Sequence, residues 1–179
     1  IDFDNIYEIE WLAPDFSYGR FFSETPSGQV ELYVSILASN NPFLGQIPNL
    51  AFGPLKEDGS IDDDAKIKHV DNSKVYSTML FSGLTFLKTQ NQSFIGVDGS
   101  NHIRAFLYYK VLQLNYDYLA QYFKVLGVKY YIRLLRGRHK TDHYTTDSED
   151  VTVIPTDITK LLRIENRKLF NYFVLKRLI

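Results

Sequence analysis

Ser93 to Tyr109 reads SFIGVDGSNHIRAFLYY. The apolar run Phe94-Ile95-Gly96-Val97 has strand character. Asp98-Gly99-Ser100-Asn101 interrupts it, and a helical pattern then begins with Arg104 in its first turn. A strand that passes through a tight corner into a helix shows that the chain mixes the two kinds of element. What lies on either side then decides the class.

Upstream, the first half reads as strands. Ile6 to Leu12 alternates weakly, Arg20 to Glu24 is short, and Pro26-Ser27-Gly28 is a turn. Val30 to Leu37 is the cleanest strand, with Val30, Leu32, Val34 and Ile36 on one face and Glu31, Tyr33 and Ser35 on the other. The two runs joined by Thr25-Pro26-Ser27-Gly28 form a hairpin. Asn40-Asn41-Pro42 breaks the chain, and Asn49 to Gly53 is a further short strand. After an acidic loop, Glu57 to Asp64, a helix runs from about Ser73 to Lys88, capped by Asp71, Asn72 or Ser73. Val75, Met79, Leu80, Leu84 and Leu87 form its stripe.

Downstream, the second helix starts near Asn101, with Ile103, Phe106, Leu107, Val111 and Leu114 on one face. Asn115 stops it and caps a short helix through Tyr118, Leu119, Tyr122 and Phe123, which ends at Gly127. Val128 to Leu135 returns to strand. Gly137 to Val151 is a polar excursion, Pro155 to Glu165 a short helix, and Leu169 to Leu178 a last strand. The order predicts one α+β domain over residues 1–179. Its sheet is mostly antiparallel, with two main helices packed on one face.

Composition sets the outer limits. The 179 residues are 45% hydrophobic, with 13 Tyr and 13 Phe, enough for a sizeable core. The formal net charge of -1 gives no whole-domain field for nucleic acid. Without cysteine there is no disulfide, zinc–thiolate site or thiol nucleophile, which fits a reducing compartment. No apolar run is long enough to span a bilayer and no leader pattern opens the chain. The expectation is a cytoplasmic protein with no membrane association, no cofactor and no metal.

Five constellations carry chemistry. Gly99, Ser100 and Asn101 with Arg104 form an anion-binding corner, since a helix N-terminus offers free N–H groups beside the guanidinium. Alternatively Ser100 or Asn101 caps the helix and Arg104 pairs with Asp98, or with Asp62 or Asp63. The aspartates Asp62, Asp63, Asp64 and Asp71 offer oxygen ligands for a hard cation, but they lack calcium-loop spacing, and adjacent aspartates on a loop mostly keep it solvated. Arg133, Arg136, Arg138, His139 and Lys140, near His143 and Tyr144, make up the basic run. It reads as an exposed loop or as nucleic-acid contact through Arg136, Arg138 and Lys140. His139 and His143 stand four apart, and His102 beside the corner could act as a general base. Finally, Tyr108-Tyr109, Tyr116, Tyr118, Tyr122-Phe123 and Tyr130-Tyr131 crowd one region, either as core between helix and sheet or as an interface.

Five fragments occur in order: Asn49-Leu50-Ala51-Phe52-Gly53; Ile61-Asp62-Asp63; Lys74-Val75 with Thr78; Gly99-Ser100 with Arg104 and Leu107-Tyr108; and Phe173-Val174-Leu175-Lys176-Arg177. Together, over roughly Gln29 to Arg177, they resemble a family of short uncharacterised proteins common in Bacteroidetes, a domain of unknown function. The resemblance implies a compact α+β domain and a bacterial cytoplasmic origin, and no activity. The family tends to carry a second arginine where this chain has Phe106 and Thr where it has Asn101. Its segment matching Gly137 to Lys160 is shorter. A site built on paired arginines is weakened here.

These readings lead to two expectations. The first is a binding module with a protein partner or a homodimer, such as half of a toxin–antitoxin or phage-defence pair. The second is a nucleotide- or nucleic-acid-processing enzyme using the corner at Gly99 to Arg104 with Asp62 or Asp63.

Overall fold

The computed structural model describes every residue except 42–43, 100–101, 136–144, 164–169, 171 and 179. The strands are β1 (Glu10–Trp11), β2 (Tyr18–Thr25), β3 (Gly28–Asn41), β4 (Gly45–Gly53), β5 (Phe94–Asp98), β6 (Phe123–Leu135), β7 (Thr145–Asp157) and β8 (Tyr172–Arg177). The helices are α1 (Asn72–Thr89), α2 (His102–Leu114) and α3 (Tyr116–Leu119). All eight strands lie in one sheet, in the order β1-β2-β3-β4-β5-β8-β6-β7. Every neighbouring pair is antiparallel except β4 and β5, which run parallel at Asn49 opposite Gly96. The chain is α+β, as its element order predicts.

The β2–β3 hairpin turns where Pro26-Ser27-Gly28 places it, with the Thr25 hydroxyl donating to the Gly28 carbonyl at 2.7 Å. Alternation then sorts the sheet's two faces. Val34 faces Phe52, Ile36 faces Leu50, Ile95 faces Leu175 and Val97 faces Phe173 across the ladders. These residues and Phe123 and Val125 form the main core together with Met79, Leu80, Leu84 and Leu87 of α1 and Tyr108, Tyr109 and Leu112 of α2. Both main helices therefore pack on one face. The full α1 stripe, Val75 included, is buried, at roughly 1.5–3 kcal/mol per side chain relative to exposure. Asp71 caps the helix by accepting from the Lys74 N–H at 2.9 Å, worth about 1 kcal/mol. Thr78, buried in α1, accepts from the Tyr7 N–H at 2.9 Å and donates to the Lys74 carbonyl at 2.7 Å, so the N-terminal segment is tied to the helix.

The opposite face is covered at its centre by Tyr172, Val174 and Val128. Gly96 makes this possible: a Cβ there would overlap the Tyr172 phenol, which crosses β5 and donates to Asn49 Oδ1 at 3.0 Å. One side chain of β8 thus reaches over the parallel seam to β4.

Three expectations fail. Thr145 to Val151 is the start of β7, an edge strand, and not a polar excursion. Pro155 to Asp157 ends that strand, and no helix forms between 158 and 163. An edge strand faces solvent, so its polarity hides it, and Pro155 is tolerated there. Gly127 stops no helix. It lies within β6, where the Phe170 ring occupies the space a Cβ would need. No helix among the described residues is long and apolar enough to cross a membrane.

Candidate functional site

The segment between β4 and α1 builds a roof over the carboxyl ends of β4 and β5. It leaves β4 at Gly53, where a Cβ would overlap the Asp62 carbonyl oxygen, so only glycine admits the returning loop. Leu55 bridges Ile61, Lys56 N–H donates to the Ser60 carbonyl at 2.8 Å, and Asp58 holds the turn by accepting from Ser60 N–H and Oγ. Asp62 N–H then donates to the Pro54 carbonyl at 2.7 Å. At its far end the segment is fixed to β2. Val70 N–H donates to the Glu24 carbonyl, and His69 Nδ1 lies 2.8 Å from the hydroxyl of fully buried Ser23. Partial burial holds the His69 pKa below its ordinary value of 6.5, so the ring is neutral at pH 7.

This path carries Asp63 and Asp64 across the first turn of α2. Arg104 binds Asp63 through Nη1 in a very short contact and Asp64 through Nη2 at 3.3 Å. α2 has no acidic residue of its own in its first turn. The loop carboxylates supply the negative charge that the helix's positive end favours. An external anion at Arg104 would compete with both.

Beneath the loop lies a cavity of about 660 Å³. Phe52, Val75, Ile67 and Leu107 give it apolar walls, with Tyr76 and Tyr108 among them. The Phe52 and Tyr76 rings meet at 6.0 Å and 71°, and Tyr76 and Tyr108 at 6.5 Å and 85°. Burial raises the pKa of both phenols, and in Tyr108 the neighbouring Tyr76 adds to it. Both are therefore neutral at pH 7, each with a donor and an acceptor. Asp62, Asp63 and Arg104 all line this cavity. Among the described residues no group of three or more His, Asp or Glu is placed to hold a metal ion.

A second surface lies on the outer side of α2. Its inner side is Ala105, Tyr108, Tyr109 and Leu112. The stripe of Ile103, Phe106, Leu107 and Leu114 turns outward instead, 65%, 37%, 43% and 78% exposed. A groove of about 600 Å³ separates α2 from residues 160–163. Tyr109 donates to the Leu162 carbonyl at 2.6 Å, and Gln113 donates to the same oxygen, fixing the groove's width. Phe106, Leu114 and Leu162 line it with Lys110, Lys160 and Arg163. Lys110 lies over the rings of Phe106 and Tyr109, and Lys160 binds Asp117 at 2.5 Å.

Of the predicted anion corner, Gly99 is buried, with room for a Cβ only 3.1 Å from both Ala105 Cα and the Phe173 ring. It serves the packing of the strand–helix corner. Ser100 and Asn101 lie outside the described residues, as do Arg136, Arg138 and Lys140 of the basic run. His69, Tyr76 and the groove cations Lys160 and Arg163 are absent from the sequence-based candidates. Tyr76 sits one residue after Val75 on α1, and nothing local distinguishes it from a core aromatic. Tyr108 and Tyr109 are core, whereas Tyr116, Tyr118 and Tyr122 are half-buried.

No curated protein and no solved structure matches the chain. A family model does, over residues 4–148, from before β1 to the beginning of β7. The matched stretch contains the fragments from Asn49 to Tyr108. It starts earlier than Gln29 and leaves Phe173–Arg177 outside. The chain belongs to the family of unknown function DUF6934.

Proposed function

We propose that this protein acts by binding another protein, and that the outer side of α2 is the contact face. The observation that supports this is the outward row Ile103, Phe106, Leu107 and Leu114, exposed on a helix whose other side is already filled by core residues. Single exposed apolar residues are ordinary, but four in register beside an open groove form a patch. Burying each under a partner yields roughly 1.5–3 kcal/mol before the costs of association. The charges around the groove select the partner. Lys110, Lys160 and Arg163 line it, and Asp117 is engaged by Lys160. The complementary surface is a helix with apolar residues on one face and Asp or Glu beside them. A second copy of this chain would set these cations against their own kind, which disfavours self-association. A co-encoded partner, as in a toxin–antitoxin or phage-defence pair, suits this reading.

Selection from a displayed random-peptide library tests it. Enriched sequences should pair apolar residues at helical spacing with acidic ones, and Leu114→Glu should abolish the enrichment without unfolding the protein. Enrichment of basic sequences, retention of binding by the variant, a dimer in light scattering built on this face, or cosedimentation with anionic vesicles in place of peptide binding would each overturn it.

A further inference from the structure

We propose that the cavity beneath residues 62–69 binds a small molecule with a flat apolar body and a protonated amine. It shares no lining residue with the groove beside residues 160–163, although Ile103 and Leu107 of the outer α2 row stand at its edge. At about 660 Å³ it has the size of pockets that enclose a small organic ligand. Its walls suit a flat apolar group, with Phe52, Tyr76 and Tyr108 meeting edge to face and Leu32, Val75 and Leu107 beside them. Tyr108 is only 7% exposed, and both it and Tyr76 line the cavity. A neutral phenol hydroxyl can both donate to and accept from a ligand. Tyr108 stands one helical turn after Arg104 on α2, and both line the cavity.

The sign of the ligand's charge follows from that end. Asp62, Asp63 and Asp64 line it against Lys66 and Arg104, with His69 neutral. Arg104 is engaged by Asp63 and Asp64, whereas among the described residues the Asp62 carboxylate has no cation partner and accepts from the Asp64 N–H at 3.3 Å. The excess is one negative charge, at a half-buried carboxylate. Aromatic faces add to it, since ring quadrupoles attract cations. An ammonium can donate to the Asp62 carboxylate or to a phenol oxygen, while a carboxylate or phosphate would meet repulsion at Asp62.

Tryptamine, tryptophol and indole-3-acetate carry one ring with a positive, neutral and negative tail, and titration calorimetry on the whole chain compares them. Tryptamine should bind about tenfold more tightly than tryptophol, and indole-3-acetate should give no signal. Asp62→Asn should erase the preference for the amine while retaining tryptophol binding. Tyr108→Phe, which keeps the ring, should weaken both. Absence of heat from all three compounds, equal affinity for indole-3-acetate, or tryptamine binding that ignores both substitutions would overturn the proposal. Ile103 and Leu107 border both surfaces, but Leu114 lines only the groove and Asp62 only the cavity, so Leu114→Glu and Asp62→Asn let either reading fail alone.

Discussion

Arg104 stands in the first turn of α2, where a cation opposes the positive end of the helix. It is tolerated because Asp63 and Asp64 arrive from a loop remote in sequence. Its side chain is 13% exposed and that of Asp63 34%, so the pair is neither a surface bridge nor a fully buried one. Arg104→Ala should therefore cost about 1–3 kcal/mol, less than a sealed pair because solvent screens part of the loss. A double-mutant cycle with Asp63→Ala, read by urea denaturation, should give a coupling of about 0.5–2 kcal/mol. Strict additivity of the two changes would show that the contact contributes nothing. The sequence offers Arg104 three acidic neighbours, Asp98 by proximity and Asp62 or Asp63 by the loop's composition. Only the return of the chain over Gly53 selects among them, and no local pattern encodes that return. Tyr76 and His69 were illegible for the same reason: each is an ordinary residue in its own element and becomes part of a site through what lies opposite.

α1 and α2 differ in how openly they state their orientation. α1 carries its apolar residues in one stripe, and burial follows it. α2 is apolar on two sides, so periodicity does not say which side is the core. The inner side falls to Tyr108 and Tyr109 because their rings fill the space above Phe173 and Phe170, and the Tyr109 hydroxyl finds the Leu162 carbonyl. β7 was hidden by its position at the sheet edge, where polar residues are usual. The loop between β4 and α1 is the element most dependent on a single residue. Gly53→Ala should lower stability by about 2–4 kcal/mol, since the new methyl meets backbone and cannot be relieved by a rotamer change. Thermal and urea unfolding measure this, and a midpoint equal to wild type would mean that the loop does not return so closely.

The sheet consists of two antiparallel sets, β1 to β4 and β5-β8-β6-β7, joined by the β4–β5 parallel seam. The alternation of Val30 to Leu37 and the strand-to-helix corner made the class legible, but the seam and the strand order depend on contacts far apart in sequence. β8 is central to them, paired with β5 on one side and β6 on the other. The family match ends at residue 148, before this strand and within β7. A chain cut there should show no cooperative unfolding transition and should aggregate, because β5 and β6 would lack their common partner. Circular dichroism through a urea titration would decide, and a sharp transition with a wild-type spectrum would show the shorter chain to be sufficient. The placement of β8 also governs what happens during synthesis. On the ribosome β5 and β6 emerge well before Tyr172, so each waits with an open edge while the intervening residues are translated. The nascent chain is thus most vulnerable to pairing with a neighbour in that interval, and the strand that fills the gap between β5 and β6 is also the one that ends the risk.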